Sequence, residues 1–316
     1  MAFSLFHLDS MYSVLWTGSA MLDSLLPNAE APVTTPQAQN WRITVSYDGT
    51  DFAGWQIQPD LTTVQGEIQL ALGRVTGEAP LPQGSGRTDA GVHALGQVAS
   101  FPLQARIPAH NLCMALNRTL PPAIRILDAR PVRSTFHARH SSQGKTYEYR
   151  IFRGPLCPPT LARYVHACRW PLDLDRINRA AADLVGEHDF LSFAATDPAL
   201  VAAPVIDPAT RPLPRENFLA EPREANAIRT IYSSEFLERE SDAGPQLVYR
   251  VRGSGFLHHM VRNIVGTLVD VGRGRIACDA LPQILAARSR TAAGPTAPAQ
   301  GLFLHSVNYN DAEFEL

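Results

Sequence analysis

No two of the four cysteines, Cys113, Cys157, Cys168 and Cys278, form a CxxC pair. That removes zinc ribbons and thioredoxin-type chemistry, and leaves the cysteines as small buried hydrophobes. The first 40 residues contain no Lys or Arg. A secretory signal requires a basic start and a mitochondrial presequence is rich in Arg, so residues 1–40 fit neither. Asp9 and Asp23 interrupt the apolar residues there, and no run is long enough to span a bilayer. Pro27, Pro32 and Pro36 close the segment, so residues 1–40 are expected to be a poorly ordered extension. A basic excess is missing too. With a formal net charge of −2, any surface for nucleic acid has to be a local patch. The GxSxG elbow of serine hydrolases is absent, and Gly84-Ser85-Gly86 lacks the GK[ST] ending of a phosphate loop.

What is present centres on Gly84-Ser85-Gly86-Arg87-Thr88-Asp89-Ala90-Gly91-Val92-His93. Three glycines in eight positions favour a tight loop over a helix or strand. Such a loop presents one Arg and one Asp. Arg87 stands two residues before Asp89, and a cation beside a carboxylate favours the ionised form, which can act as nucleophile or base. The bland alternative is an Asx turn with Arg87 in solvent.

Around the loop the chain alternates strands and helices. Trp41–Tyr47 alternates apolar and polar residues, as a half-buried strand does. Val64, Ile68 and Leu72 make one face of a helix over about 64–75, capped by Thr62 or Thr63. Gln97–Phe101 and Ile124–Ala129 read as strands flanking a helix at about 109–118. Lys145–Phe152 is a strand, and Arg139, Lys145, Arg150 and Arg153 with its tyrosines form the best local basic patch. A helix is expected over about 174–185, capped by Asp173 and stopped by Gly186. Six prolines make 196–226 a surface insertion. Strands follow at 228–235 and 247–252, a helix at about 257–271, a helix at about 281–287 and a last strand at 302–309.

His258 and His259 suggest a metal, but adjacent residues on a helix point about 100° apart and do not readily ligate one ion. Both are expected to be packed or solvated helix residues, with no metal. Asp89 has no evident second carboxylate, which disfavours a glycosidase.

The wording GRTDAGVHA followed by Gly96-Gln97-Val98 closely resembles the signature of the tRNA pseudouridine synthase A family. Tyr47-Asp48-Gly49 with Gly54-Trp55-Gln56 is similar to its opening pattern. Phe136-His137-Ala138-Arg139, then Lys145-Thr146-Tyr147-Glu148-Tyr149, is similar to its central segment. Phe256–Gly266 resembles its helix motif and Gly301–Leu304 its closing strand. The blocks stand in family order from Trp41 to Tyr309.

The resemblance implies an α+β fold in two halves, each a mainly antiparallel sheet backed by helices, with the active cleft between them. The halves would be 41–145 and 146–316. The implied reaction converts uridine to pseudouridine in the tRNA anticodon stem-loop, at positions 38–40, with no metal or other cofactor. Asp89 would be the essential carboxylate and nucleophile, attacking C1′ or the base, or else removing a ribose proton. Tyr147 would pack on the target uracil, Arg262 would pair with Asp89, and Arg87 would contact phosphate or hold the flipped base. The family also implies a homodimer, and the lack of targeting signals suggests a cytoplasmic enzyme with no membrane association. A non-catalytic tRNA-binding protein on the same scaffold is the rival reading.

Overall fold

The computed structural model describes residues 38–195, 227–241 and 244–310. Most of the expected 1–40 extension and the whole of the 196–226 insertion lie outside them. The described residues belong to one compact unit.

In chain order the elements are β1 (Gln39–Tyr47), α1 (Val64–Thr76), β2 (Gln83–Gly84), β3 (His93–Leu103), α2 (Ala109–Thr119), β4 (Ile124–Val132) and β5 (Gly144–Phe152). Then come α3 (Pro159–Ala162), β6 (His166–Ala167), α4 (Leu174–Ala182), β7 (Gly186–Asp189), β8 (Ile228–Arg239), β9 (Gln246–Gly253), α5 (Met260–Gly272), α6 (Leu281–Ala286) and β10 (Leu302–Asn308).

The strands form a single sheet in the order β4-β1-β3-β10-β5-β9-β8-β7, with β2 on β3 and β6 on β5. Each half contributes antiparallel pairs backed by helices, as expected. The halves share this sheet, because β10 runs parallel to β3 on one side and antiparallel to β5 on the other. The expected boundary at 145/146 falls inside β5, a central strand.

Local chemistry explains the elements. In β1, Ile43 and Val45 are fully buried while Arg42, Thr44 and Ser46 are half-buried, the period-two pattern of a strand with one face on the core. The Thr63 hydroxyl accepts from the Gly66 amide and caps α1, whose Val64, Ile68 and Leu72 are fully buried. Asp173 caps α4 by accepting from the Arg176 amide. That helix ends at Ala182, three residues short of the expected Val185. The chain tightens there, with Leu184 bonding back to Ala181, and Gly186 at φ +116° turns into β7. In the second half Ile177, Ile264 and Leu268 pack with Tyr149 and Val251 in the same continuous core as the first half. Burying each such side chain is worth roughly 1.5–3 kcal/mol.

Candidate active site

The motifs at the start of the chain build a cradle for the Asp89 loop. Tyr47, at the end of β1, shares a 2.8 Å hydrogen bond with the Thr88 hydroxyl. The Trp55 amide donates to the Thr88 carbonyl at 3.0 Å. Gly54 allows this approach: its φ is +94°, and a Cβ there would stand 2.6 Å from the Thr88 oxygen. From the other side, Gln97 of β3 accepts from the Ser85 hydroxyl and donates to the Gly86 carbonyl at 2.8 Å. The Lys145 ammonium of β5 donates to the Ser85 carbonyl. His93 ends the loop fully buried. Its Nδ1 accepts from the Gly49 amide at 3.1 Å, so Nε2 carries the proton and donates to the Arg163 carbonyl at 3.0 Å. Burial pulls this imidazole below its ordinary pKa, and its role is to pin the loop.

Asp89 projects from this loop toward the start of α5. The Arg262 Nη1 donates to Asp89 Oδ2 at 2.8 Å, while Arg262 Nε donates to the Ala297 carbonyl at 2.8 Å. One planar guanidinium thus joins the carboxylate of the first half to the backbone of the second, a bond that is charge-assisted and directional. The two side chains are 16% and 18% exposed, screened from solvent but open enough to admit a ligand.

The histidines are placed differently from expectation. The helix begins at Met260, not near Leu257, because His259 adopts the left-handed conformation at φ +60° and sits before the first turn. The 100° argument therefore does not apply. His258 Nε2 lies 3.3 Å from Asp89 Oδ1, and His259 Nε2 lies 3.3 Å from Oδ2. Their rings lie tilted at 42° to each other with centroids 3.9 Å apart. Burial pulls the His259 pKa down against the opposing pull of Asp89. The His259 imidazole is thus held toward its neutral form, and Arg262 supplies the permanent charge. The donor atoms of Asp89, His258 and His259 lie within 4.8 Å of one another and could hold a metal ion. Arg262 already occupies Oδ2, and its fixed positive charge opposes a second cation there.

Tyr147, on β5, is buried and packs edge-on against Phe256 at 5.0 Å between centroids. Burial first, then Tyr47 and the Asp89 charge, push its phenol well above the usual range, so it stays protonated at neutral pH. Its hydroxyl has no hydrogen-bond partner among the described residues. Arg87 is exposed and makes no ion pair with Asp89 among the described residues. The cation beside Asp89 is Arg262.

The sequence matches a known family over most of its length. Residues 43–141 and 216–310 match the tRNA pseudouridine synthase family. A tRNA pseudouridine synthase A of Solibacter usitatus is 48% identical over 270 residues, covering 85% of this chain and 98% of its own. Those of Moorella thermoacetica and Lacticaseibacillus casei are 44% and 40% identical, each covering 85% of this chain and 98% and 99% of their own lengths. The chain belongs to the tRNA pseudouridine synthase A family. It is a tRNA-modifying isomerase and not a non-catalytic binding scaffold.

The synthase carries a supporting layer that sequence reading missed. Asn263, fully buried on α5, donates to the Phe193 carbonyl at 2.8 Å. Its Oδ1 accepts from Arg290 and from the Thr296 hydroxyl. Arg290 also donates to the Gly294 carbonyl at 2.9 Å. Together they clamp segment 294–297 on α5, and this segment supplies the carbonyl that orients Arg262. Asn263 and Thr267, two polar residues four apart in a mostly apolar helix, were the available signal.

Proposed function

We propose that the synthase isomerises uridines at positions 38–40 of the tRNA anticodon stem-loop, with Asp89 as the reacting carboxylate. The observation that carries this reading is the convergence on Asp89 of the loop motif from the first half and Arg262, His258 and His259 from the second. The target base is stacked in a helical stem, so the nucleotide must leave the stack, at a cost of a few kcal/mol. Arg87, exposed at the mouth of the loop, is the residue we assign to a backbone phosphate or to the gap left by the flipped base. Tyr147 and Phe256 form the apolar wall on which the uracil packs.

The reaction breaks the C1′–N1 bond and makes a C1′–C5 bond. C5 loses one proton and N1 ends with one, so no oxidant or reductant is consumed. Asp89 acts as nucleophile at C1′ or at the base, or removes a ribose proton; in each role the Arg262 bond fixes the orientation of the carboxylate. Tyr147, held as a phenol, is suited to packing and to donating a hydrogen bond, and unsuited to being the base that takes the C5 proton.

In our reading the enzyme works as a cytoplasmic homodimer, in which two modest basic surfaces serve one tRNA. Its four cysteines are free thiols, as a reducing compartment requires. Among the described residues no helix is long and apolar enough to cross a membrane. Carbodiimide mapping of an unmodified tRNA transcript after incubation tests the site assignment. Pseudouridine confined to 38–40 is expected, and modification only outside the anticodon stem-loop contradicts it.

A further inference from the structure

The basic patch expected on β5 separates into two kinds of cation. Arg150 lies 3.5 Å from the buried Glu148 and stacks over Phe303, and Arg153 pairs with Glu238 at 3.0 Å. These charges are neutralised within the protein. Lys145 is not. No carboxylate comes within ion-pair distance of it among the described residues, and the charged groups that act on it, Arg139 and Arg229, are both cationic. Its one hydrogen bond goes to the neutral Ser85 carbonyl, which leaves ammonium protons to spare. Lys145 is half-buried, and the like charge of the two arginines acts against its own.

The location adds meaning. Ser85 lies four residues before Asp89 in the same loop. The Arg229 side chain lies against Gly255, next to Phe256, which packs on Tyr147. Lys145 therefore holds the loop that carries the reacting carboxylate, and Arg229 lies next to the wall for the base. We infer that Lys145 and Arg139, flanked by Arg229, form a phosphodiester-binding subsite beside the Asp89 loop that takes a backbone phosphate of the RNA strand carrying the target uridine. The subsite rests on the reading that the Asp89 cleft receives the RNA. A single anion satisfies the ammonium, relieves the mutual repulsion and ties the strand to the loop that carries the reaction.

Lys145 is the only lysine in the chain, so it can be followed chemically in the full-length enzyme. Its pKa is lowered to about 8, by burial first and the two arginines second, which makes the amine reactive near neutral pH. Acetylation with an N-hydroxysuccinimide ester, read by mass spectrometry on the Lys145 peptide, is expected to slow about tenfold or more with a saturating anticodon stem-loop transcript. In parallel, tRNA affinity is measured against salt for wild type, Lys145→Met and Lys145→Arg. The Met variant is expected to lose roughly 0.7–0.9 from the log–log salt slope, the value of one phosphate contact, and the Arg variant to keep it. Unchanged labelling with RNA bound, together with an unchanged slope in Lys145→Met, overturns the subsite and leaves Lys145 as a tie to the loop. Failure of wild type to form pseudouridine in that stem-loop, while still binding it, is a separate result and counts against the assignment of the cleft. The labelling arm uses the unaltered protein, so it stands even if Lys145→Met folds poorly.

Discussion

Replacing Arg262 by lysine keeps the charge beside Asp89 and removes the fork. The guanidinium makes two bonds at once, to Asp89 Oδ2 and to the Ala297 carbonyl, both at 2.8 Å. An ammonium on a shorter, flexible stem can satisfy one of them but not both in the same geometry. A hydrogen bond involving a charged group contributes about 1.5–3 kcal/mol. At 1.36 kcal/mol per decade of rate, losing one corresponds to roughly a 10- to 150-fold fall in the chemical step. Arg262→Met removes both bonds and the charge, and is expected to fall further. Because Arg262 acts on Asp89 and lies outside the basic subsite at Lys145, tRNA affinity should change by less than about threefold. Single-turnover pseudouridine formation with excess enzyme measures the step, and filter binding measures affinity. A lysine variant at the wild-type rate, or one whose whole defect lies in affinity, refutes the claim that this bond orients the reacting carboxylate.

Three further expectations follow from the same geometry. Tyr147→Phe keeps the packing on Phe256 and deletes only an unpartnered hydroxyl, so the single-turnover rate should drop while tRNA affinity and the urea midpoint hold; equal losses in rate and stability would point to a packing role instead. Gly266→Ala places a Cβ 1.6 Å from the Pro295 carbonyl oxygen, a backbone atom that cannot step aside. Overpacking of this kind costs about 1–3 kcal/mol or more, and it displaces the segment that orients Arg262, so urea denaturation and turnover should fall together. Lys145 carries its charge below its folded pKa of about 8 and loses it above. Wild-type affinity for tRNA should therefore weaken between pH 7 and 9, shifted upward to the extent that bound phosphate raises that pKa, and Lys145→Arg should stay flat.

Strong periodicity and strong caps made much of the fold legible. The alternation of β1, the Thr63 and Asp173 caps and the buried stripes of α1 and α4 are local chemistry that a sequence displays. Strands β2, β6 and β7 are two to four residues long, too short for a period to register. The merging of both halves into one sheet depends on β10 pairing across more than 200 residues with β3, which no local pattern encodes. At the site, the loop motif pointed to Asp89, and the spacing of the helix motif placed Arg262 near its start. His258 and His259 were misread because a left-handed His259 is uncommon, and assuming a helix through it sends the rings apart. The spacing of Arg87 put a cation near Asp89 in sequence, but the pairing with Arg262, from 173 residues away, was legible only through the family resemblance.

The measurement closest to the central claim is tritium release from tRNA labelled at C5 of uracil, with wild type and Asp89→Ala side by side and tRNA binding measured for both. The account predicts release by wild type alone, with binding retained in the variant. Release at the wild-type rate by Asp89→Ala would contradict it, because the C5 proton would then be leaving without the carboxylate around which the site is built.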